Sequence, residues 1–150
     1  MIQTVTITGT RSTEHRTPDE YGCLFADHLG PYAGAHFRIG GARGIDSLTL
    51  LWLARNTQAA LSVVVPGRVV QQPAEAQQAI AQARDRITDI VELAAAELHT
   101  PTYHARNRWM VDRSEMVIGF PRSDAEGASG TWQTLNYARV QGKPQLIVPI

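Results

Sequence analysis

Thr4–Thr8 reads TVTIT and runs straight into Gly9-Thr10-Arg11-Ser12. A short β-branched run that stops abruptly at glycine is a strand feeding a loop. Outward from it the pattern repeats. Pro18 opens a helical stretch to about Leu29, with Tyr21, Leu24, Phe25, His28 and Leu29 near helical spacing. His36–Ile39 is a second strand, ending in Gly40-Gly41. A helix follows from Asp46 to about Arg55, with Leu48, Leu51, Trp52 and Ala54 on its apolar side. Leu61–Val65 is a continuous apolar run, as in a strand covered on both faces, and Pro66-Gly67 ends it.

The second half continues the alternation. Residues 74–86 are Ala/Gln-rich and helical by propensity. Ile90–Ala94 reads either as a fourth strand or as the start of a helix, and the pattern leaves both open. His99–Tyr103 contains Pro101 and reads as a loop, with a helix over Ala105–Ser114. Met116–Phe120 is another apolar strand, stopped by Pro121. After a polar, Gly-rich stretch at 122–130, Thr131–Val140 is a helix ending at Gly142. Gln145–Val148 is the last strand. Strands alternating with helices at this spacing mean βαβ units and a parallel sheet. The expected fold is a three-layer α/β/α sandwich, one domain over residues 1–150, with five to seven strands in the order 3-2-1-4-5-6.

Composition agrees with this and excludes other classes. The chain has 150 residues, about one domain's worth, and such a chain buries roughly 70% of its unfolded surface. Hydrophobic residues are 43% and charged residues 19%, which excludes a disordered chain. Fourteen cations balance fourteen acids, so a strongly basic nucleic-acid module is not expected. All the cations but Lys143 are arginine, the better bidentate phosphate binder. A single cysteine, Cys23, allows neither an internal disulfide nor a cysteine zinc site, and mid-helix among apolar residues it is expected to be buried. The opening MIQTVTIT has no basic region leading an apolar run, and no apolar run reaches membrane-spanning length. A cytoplasmic location, no membrane partner, no metal and no cofactor are the expectations.

In an open parallel sheet, ligands sit beyond the carboxyl ends of the strands. Three strand-to-helix loops there are unusual: Gly9-Thr10-Arg11-Ser12, Gly40-Gly41-Ala42-Arg43-Gly44-Ile45-Asp46, and Gly127-Ala128-Ser129-Gly130-Thr131. Glycine lets a backbone approach a ligand closely. A helix start presents N–H groups and a positive dipole end. Arginine adds a charge-assisted grip on phosphate. Together they describe a pocket for a phosphorylated ligand, a nucleotide above all. A fourth element, Arg106-Asn107-Arg108, reads as a helix start, where the dipole disfavours cations. Two cations there point to anion binding or to pairing with an internal carboxylate. The dinucleotide fingerprint is absent from the second loop, and no P-loop motif occurs. Asp46 is the best-placed acid, either an ordinary first-turn residue or a partner of a ribose hydroxyl, Arg106 or Arg108. Asp124 and Glu126 read as solvated loop acids, and His15 as a surface residue. His99 and His104 show no metal spacing. Trp109 and Trp132 read as base-stacking candidates or as core or oligomer contacts.

The set Ile7-Thr8-Gly9-Thr10-Arg11-Ser12, Gly40 to Asp46, Arg106-Asn107-Arg108 and Ser129-Gly130-Thr131 resembles the Rossmann-like core of the DNA processing protein family DprA/Smf. It is similar also to the small stand-alone YspA-like proteins and, through the SLOG superfamily, to the LOG phosphoribohydrolases. The resemblance spans about Thr4 to Val148. It implies a nucleotide-ligand site in which loops one and three hold a phosphate, Arg11 and Arg43 neutralise it, and Arg106 and Arg108 close the far side. It implies single-stranded DNA as one ligand and a homodimer or larger assembly. The LOG reaction, hydrolysis of the N-glycosidic bond of a nucleoside monophosphate, is the alternative. That chemistry needs a carboxylate in the pocket, and Thr134 stands where the LOG pattern has its glutamate. A non-catalytic interaction role in an oligomer is the third reading.

Overall fold

The computed structural model describes residues 1–123 and 129–150. At its centre lies β1 (Thr4–Gly9). One face of this strand, Val5 and Ile7, enters the main apolar cluster, while on the other Thr6 hydrogen-bonds Ser114 across 2.7 Å. The sheet is completed by β2 (His36–Gly40), β3 (Ala60–Val65), β4 (Ile87–Glu92), β5 (Met116–Phe120) and β6 (Gln145–Ile147). All the pairings are parallel. The order is β4-β3-β2-β1-β5-β6. It differs from the expected 3-2-1-4-5-6 in the place of one strand. β4 extends the sheet beyond β3, and β5 takes the position beside β1. β5 is buried throughout, whereas β4 is half-exposed and suits an edge.

The helices are α1 (Pro18–Leu29), α2 (Ile45–Asn56), α3 (Ala74–Gln82), α4 (Thr100–Asp112) and α5 (Gly130–Val140). The first three share one layer, and α4 and α5 pack together over the other face. Phe25, Leu29, Phe37, Ile39, Leu53, Leu61 and Val63 fill the core under the first layer. Val111, Val117, Leu135 and Ala138 form a smaller core under the second. The three-layer α/β/α sandwich is therefore as expected.

Several local readings change. In α2 the deepest side chains are Ile45, Thr49, Leu50 and Leu53, while Leu48, Leu51, Trp52 and Ala54 pack at the rim. α2 lies between α1 and α3, so its flanks are covered too. The 74–86 helix ends at Gln82 and closes in a 3₁₀ turn, Arg84–Arg86. Residues 87–92 are strand, which settles the ambiguous stretch. His99–Tyr103 is not a loop. The Thr102 hydroxyl accepts from the His99 N–H at 3.0 Å, and Pro101 sits in the first turn, where its missing N–H costs nothing. Arg106–Arg108 therefore lie inside α4 rather than at its start, and the dipole does not bear on them. Cys23 faces solvent.

Candidate functional site

The chain leaves β1 toward one side of the sheet and β5 lies on the other, so the strand order reverses between them. A reversal of this kind is the usual place of a ligand crevice in an open α/β sheet. Here the crevice is a cavity of about 440 Å³. Ile7, Thr8 and all of Gly9–Ser12 line it from β1, Ala42 and Asp46 from the loop before α2, and Ser129–Thr131 from the start of α5. Thr100, Tyr103, His104, Arg106, Asn107 and Met110 of α4 form a further wall, and Arg122 stands at the end of β5.

Loop one is held from both sides. The Thr10 N–H donates to the Phe120 carbonyl at 3.1 Å, and the Thr10 carbonyl accepts from the Ile45 N–H at 3.0 Å. Its side chain accepts from the Ser12 N–H at 3.1 Å. Loop two is pressed against it. Gly44 has φ +78°, and a Cβ there would lie 2.5 Å from the Thr10 carbonyl oxygen. A Cβ on Gly9 would run into the Ile45 side chain, and one on Gly41 would lie 2.5 Å from Val65. These glycines serve chain-to-chain packing. Gly40, Gly41 and Gly44 do not line the cavity.

Gly40 instead makes room for two charged side chains. A Cβ at this position would stand 2.7 Å from Asp46 Oδ2 and 2.8 Å from Arg106 Nη1. Asp46 is 8% exposed and Arg106 4%. Arg106 Nε donates to Asn107 Oδ1 at 2.8 Å, and its Nη1 to the Val64 carbonyl at 3.3 Å. Asp46 accepts from the Ala42 N–H at a long 3.4 Å. Burial pushes the Asp46 carboxyl up to about 7, against the opposing pull of Arg106, the Ala42 amide and Arg11. Burial also lowers the affinity of Arg106 for its proton, and the nearby Asp46 counters that.

At the mouth the Arg11 guanidinium lies 5.2 Å from the Tyr103 ring centre, a cation–π contact. At the α5 end the Ser129 hydroxyl caps the helix by accepting from the Trp132 N–H at 3.3 Å. A helix start carries backbone N–H groups that its own turns do not use, together with the positive dipole end. The cavity thus has arginine at its mouth and floor, a helix start on one wall and a carboxyl at the bottom.

No family model matches the chain, and no curated protein matches it by sequence. Solved structures do match. DNA processing protein A from Helicobacter pylori, a single-stranded DNA binder, superposes with a TM-score of 0.70 at 21% identity. The match covers 99% of this chain and 66% of that one. DprA from Streptococcus pneumoniae gives a TM-score of 0.72 at 19% identity, covering 99% of this chain and 50% of that one. The fold is the DprA-like Rossmann fold. This chain spans about two thirds and one half of the lengths of those two DprA chains.

Set on that fold, the sequence-derived residues divide. Gly9, Thr10, Arg11, Ser12, Asp46, Arg106, Asn107, Ser129, Gly130 and Thr131 meet around one cavity. Arg43 and Arg108 are exposed and do not line it. Trp109 stacks on Arg113, whose guanidinium is 3.9 Å from the ring centre, and Trp132 packs against the smaller core. Thr134 is buried and bonds the Gly130 carbonyl at 2.8 Å. Gly127 and Ala128 of the third loop, and the acids Asp124 and Glu126, lie outside the described residues. Thr100, Tyr103 and His104 carry no ligand signal in the sequence, because Pro101 fits a loop as well as a first helical turn. Thr-Pro at a helix start is the one available clue. Arg122 carries none either and directly follows a strand end and Pro121.

Proposed function

We propose that this cavity binds the phosphate of a nucleotide, free or within single-stranded DNA, in a SLOG-type site. One observation carries the reading. Arg11, Arg106, loop one and the start of α5 converge on one cavity at the reversal of strand order. Buried arginine and helix N–H groups are the recurrent protein partners of phosphate. The single-stranded DNA binding of the Helicobacter pylori protein, which shares the fold, supports the same ligand class. In this arrangement Gly9–Ser12 and Ser129–Thr131 hold the phosphate and Arg11 neutralises it. Arg43 and Arg108 reach only a ligand that extends past the mouth.

A thermal-shift panel of nucleoside monophosphates, cyclic nucleotides, NAD, ribose 5-phosphate and oligo-dT tests this. Ligand at a hundred times its dissociation constant adds roughly 2.7 kcal/mol, a rise of roughly 5–10 °C for a chain of this size. Arg11→Ala removes an exposed side chain and is expected to abolish the rise without unfolding the protein. An unmoved melting temperature with every ligand contradicts the reading.

Asp46 favours a second reading, a nucleoside 5′-monophosphate hydrolase. A buried carboxyl near neutrality inside the cavity is suited to general acid–base work. Water would add across the C1′–N bond, giving ribose 5-phosphate and free base. Chromatography of wild type and Asp46→Asn with each monophosphate decides it. Base released by the first and not the second supports hydrolysis, and intact nucleotide with both excludes it.

A further inference from the structure

We infer that the ligand of this cavity is a free ribonucleotide, bound through its ribose 2′-hydroxyl to the Asp46 carboxyl, and not an internal stretch of a DNA strand. The inference rests on the nucleotide reading above and narrows it.

Asp46 is the only acidic side chain among the described residues that line the cavity. A carboxylate offers about four acceptor positions. Here one contact is made, the 3.4 Å approach of the Ala42 N–H, which is long for a hydrogen bond. Among the described residues, no arginine or lysine nitrogen lies within salt-bridge distance of it. Its acceptor capacity is largely unspent at 8% exposure. The space it occupies is kept open by a glycine: a Cβ at position 40 would meet both Asp46 and Arg106 below 3.0 Å.

Arg106 supplies a nearby counter-charge, but a phosphate gives the open acceptor positions of the carboxylate no proton to accept, since both are anions. A sugar hydroxyl does. In the dinucleotide-binding α/β folds an acid beside the crevice takes the ribose hydroxyl for the same chemical reason. An internal DNA nucleotide has no sugar hydroxyl to give, because the 2′ position is bare and the 3′ oxygen is esterified. A free ribonucleotide has two. The size agrees. About 440 Å³ lies in the range of small-ligand pockets, whereas strand binders follow the backbone along a groove of roughly 4–16 nucleotides.

Isothermal titration of the full chain tests it. AMP, GMP, CMP and UMP are each compared with their 2′-deoxy forms, together with ribose 5-phosphate and oligo-dT of increasing length. The expected result is binding of at least one ribonucleotide about tenfold or more tighter than its deoxy form, since a lost hydrogen bond to a charged group is worth that much. In Asp46→Asn the ratio is expected to fall toward one, and ribose 5-phosphate is expected to weaken with it. Equal affinity for ribo and deoxy forms overturns the inference, and that comparison needs only the wild-type protein. Oligo-dT binding that exceeds the mononucleotides and grows with length also overturns it. So does ribose 5-phosphate binding that ignores the substitution, which would assign Asp46 to the base. Each of these results leaves the nucleotide reading standing. No binding by any phosphate-bearing probe removes that reading and this inference together.

Discussion

Asp46 occupies the floor of a cavity where its charge is held at a cost. Its carboxyl titrates near 7 in the fold and near 4 in the unfolded chain. The native state therefore keeps a proton that the unfolded state has lost between about pH 4 and 7. Stability falls as pH rises through that window and the loss is complete above it. Asp46→Asn mimics the protonated form. It is expected to melt several degrees above wild type at pH 8, with the gap closing toward pH 4, and melts at the two pH values check this. A stabilising substitution that also lowers ligand affinity marks a residue kept for function. Gly40→Ala tests the same place from the other side. Its methyl would press on Asp46 Oδ2 and Arg106 Nη1 at 2.7 and 2.8 Å. Overpacking of this kind costs about 1–3 kcal/mol, to be read as a lower urea midpoint together with weaker nucleotide binding.

Among the elements, loops one and two act as one unit. Gly44 needs its positive φ, and Thr10 and Arg11 of the neighbouring loop fill the space a side chain would take. Gly44→Ala is expected to cost about 1–3 kcal/mol for the strained backbone alone, more with the clash, and chemical denaturation measures it. At the other wall, Ser129→Ala removes the cap of α5 and is expected to cost about 1 kcal/mol. The strands, the alternation and most of the cavity were legible in the sequence because period and breaker residues are local signals. The placement of β4 was not, because pairing partners are chosen by burial across the sheet. Nor was the start of α4, where Pro101 carries the same letter in a loop and in a first helical turn. The glycines of loop two misled for a physical reason. Close approach to a ligand and close approach to another loop demand the same residue, and here the other loop is the partner at Gly44.

The whole molecule sets the cavity against a neutral surface. Fourteen cations face fourteen acids, and three of the thirteen arginines, Arg11, Arg106 and Arg122, line the cavity. A mononucleotide releases few counterions on binding, while a strand releases one set per phosphate neutralised, with a slope of about 0.7 per contact. Nucleotide affinity is therefore expected to fall only shallowly with salt, by a slope near one to two, and titrations across a salt series measure it. Among the described residues no helix is long and apolar enough to cross a membrane. The most direct measurement is an amide chemical-shift titration of the labelled chain with a nucleoside monophosphate. Shifts gathered at Gly9–Ser12 and Gly130–Thr131 are expected if the phosphate sits between loop one and α5. Shifts confined to other surfaces, or none at saturating nucleotide, would contradict the site.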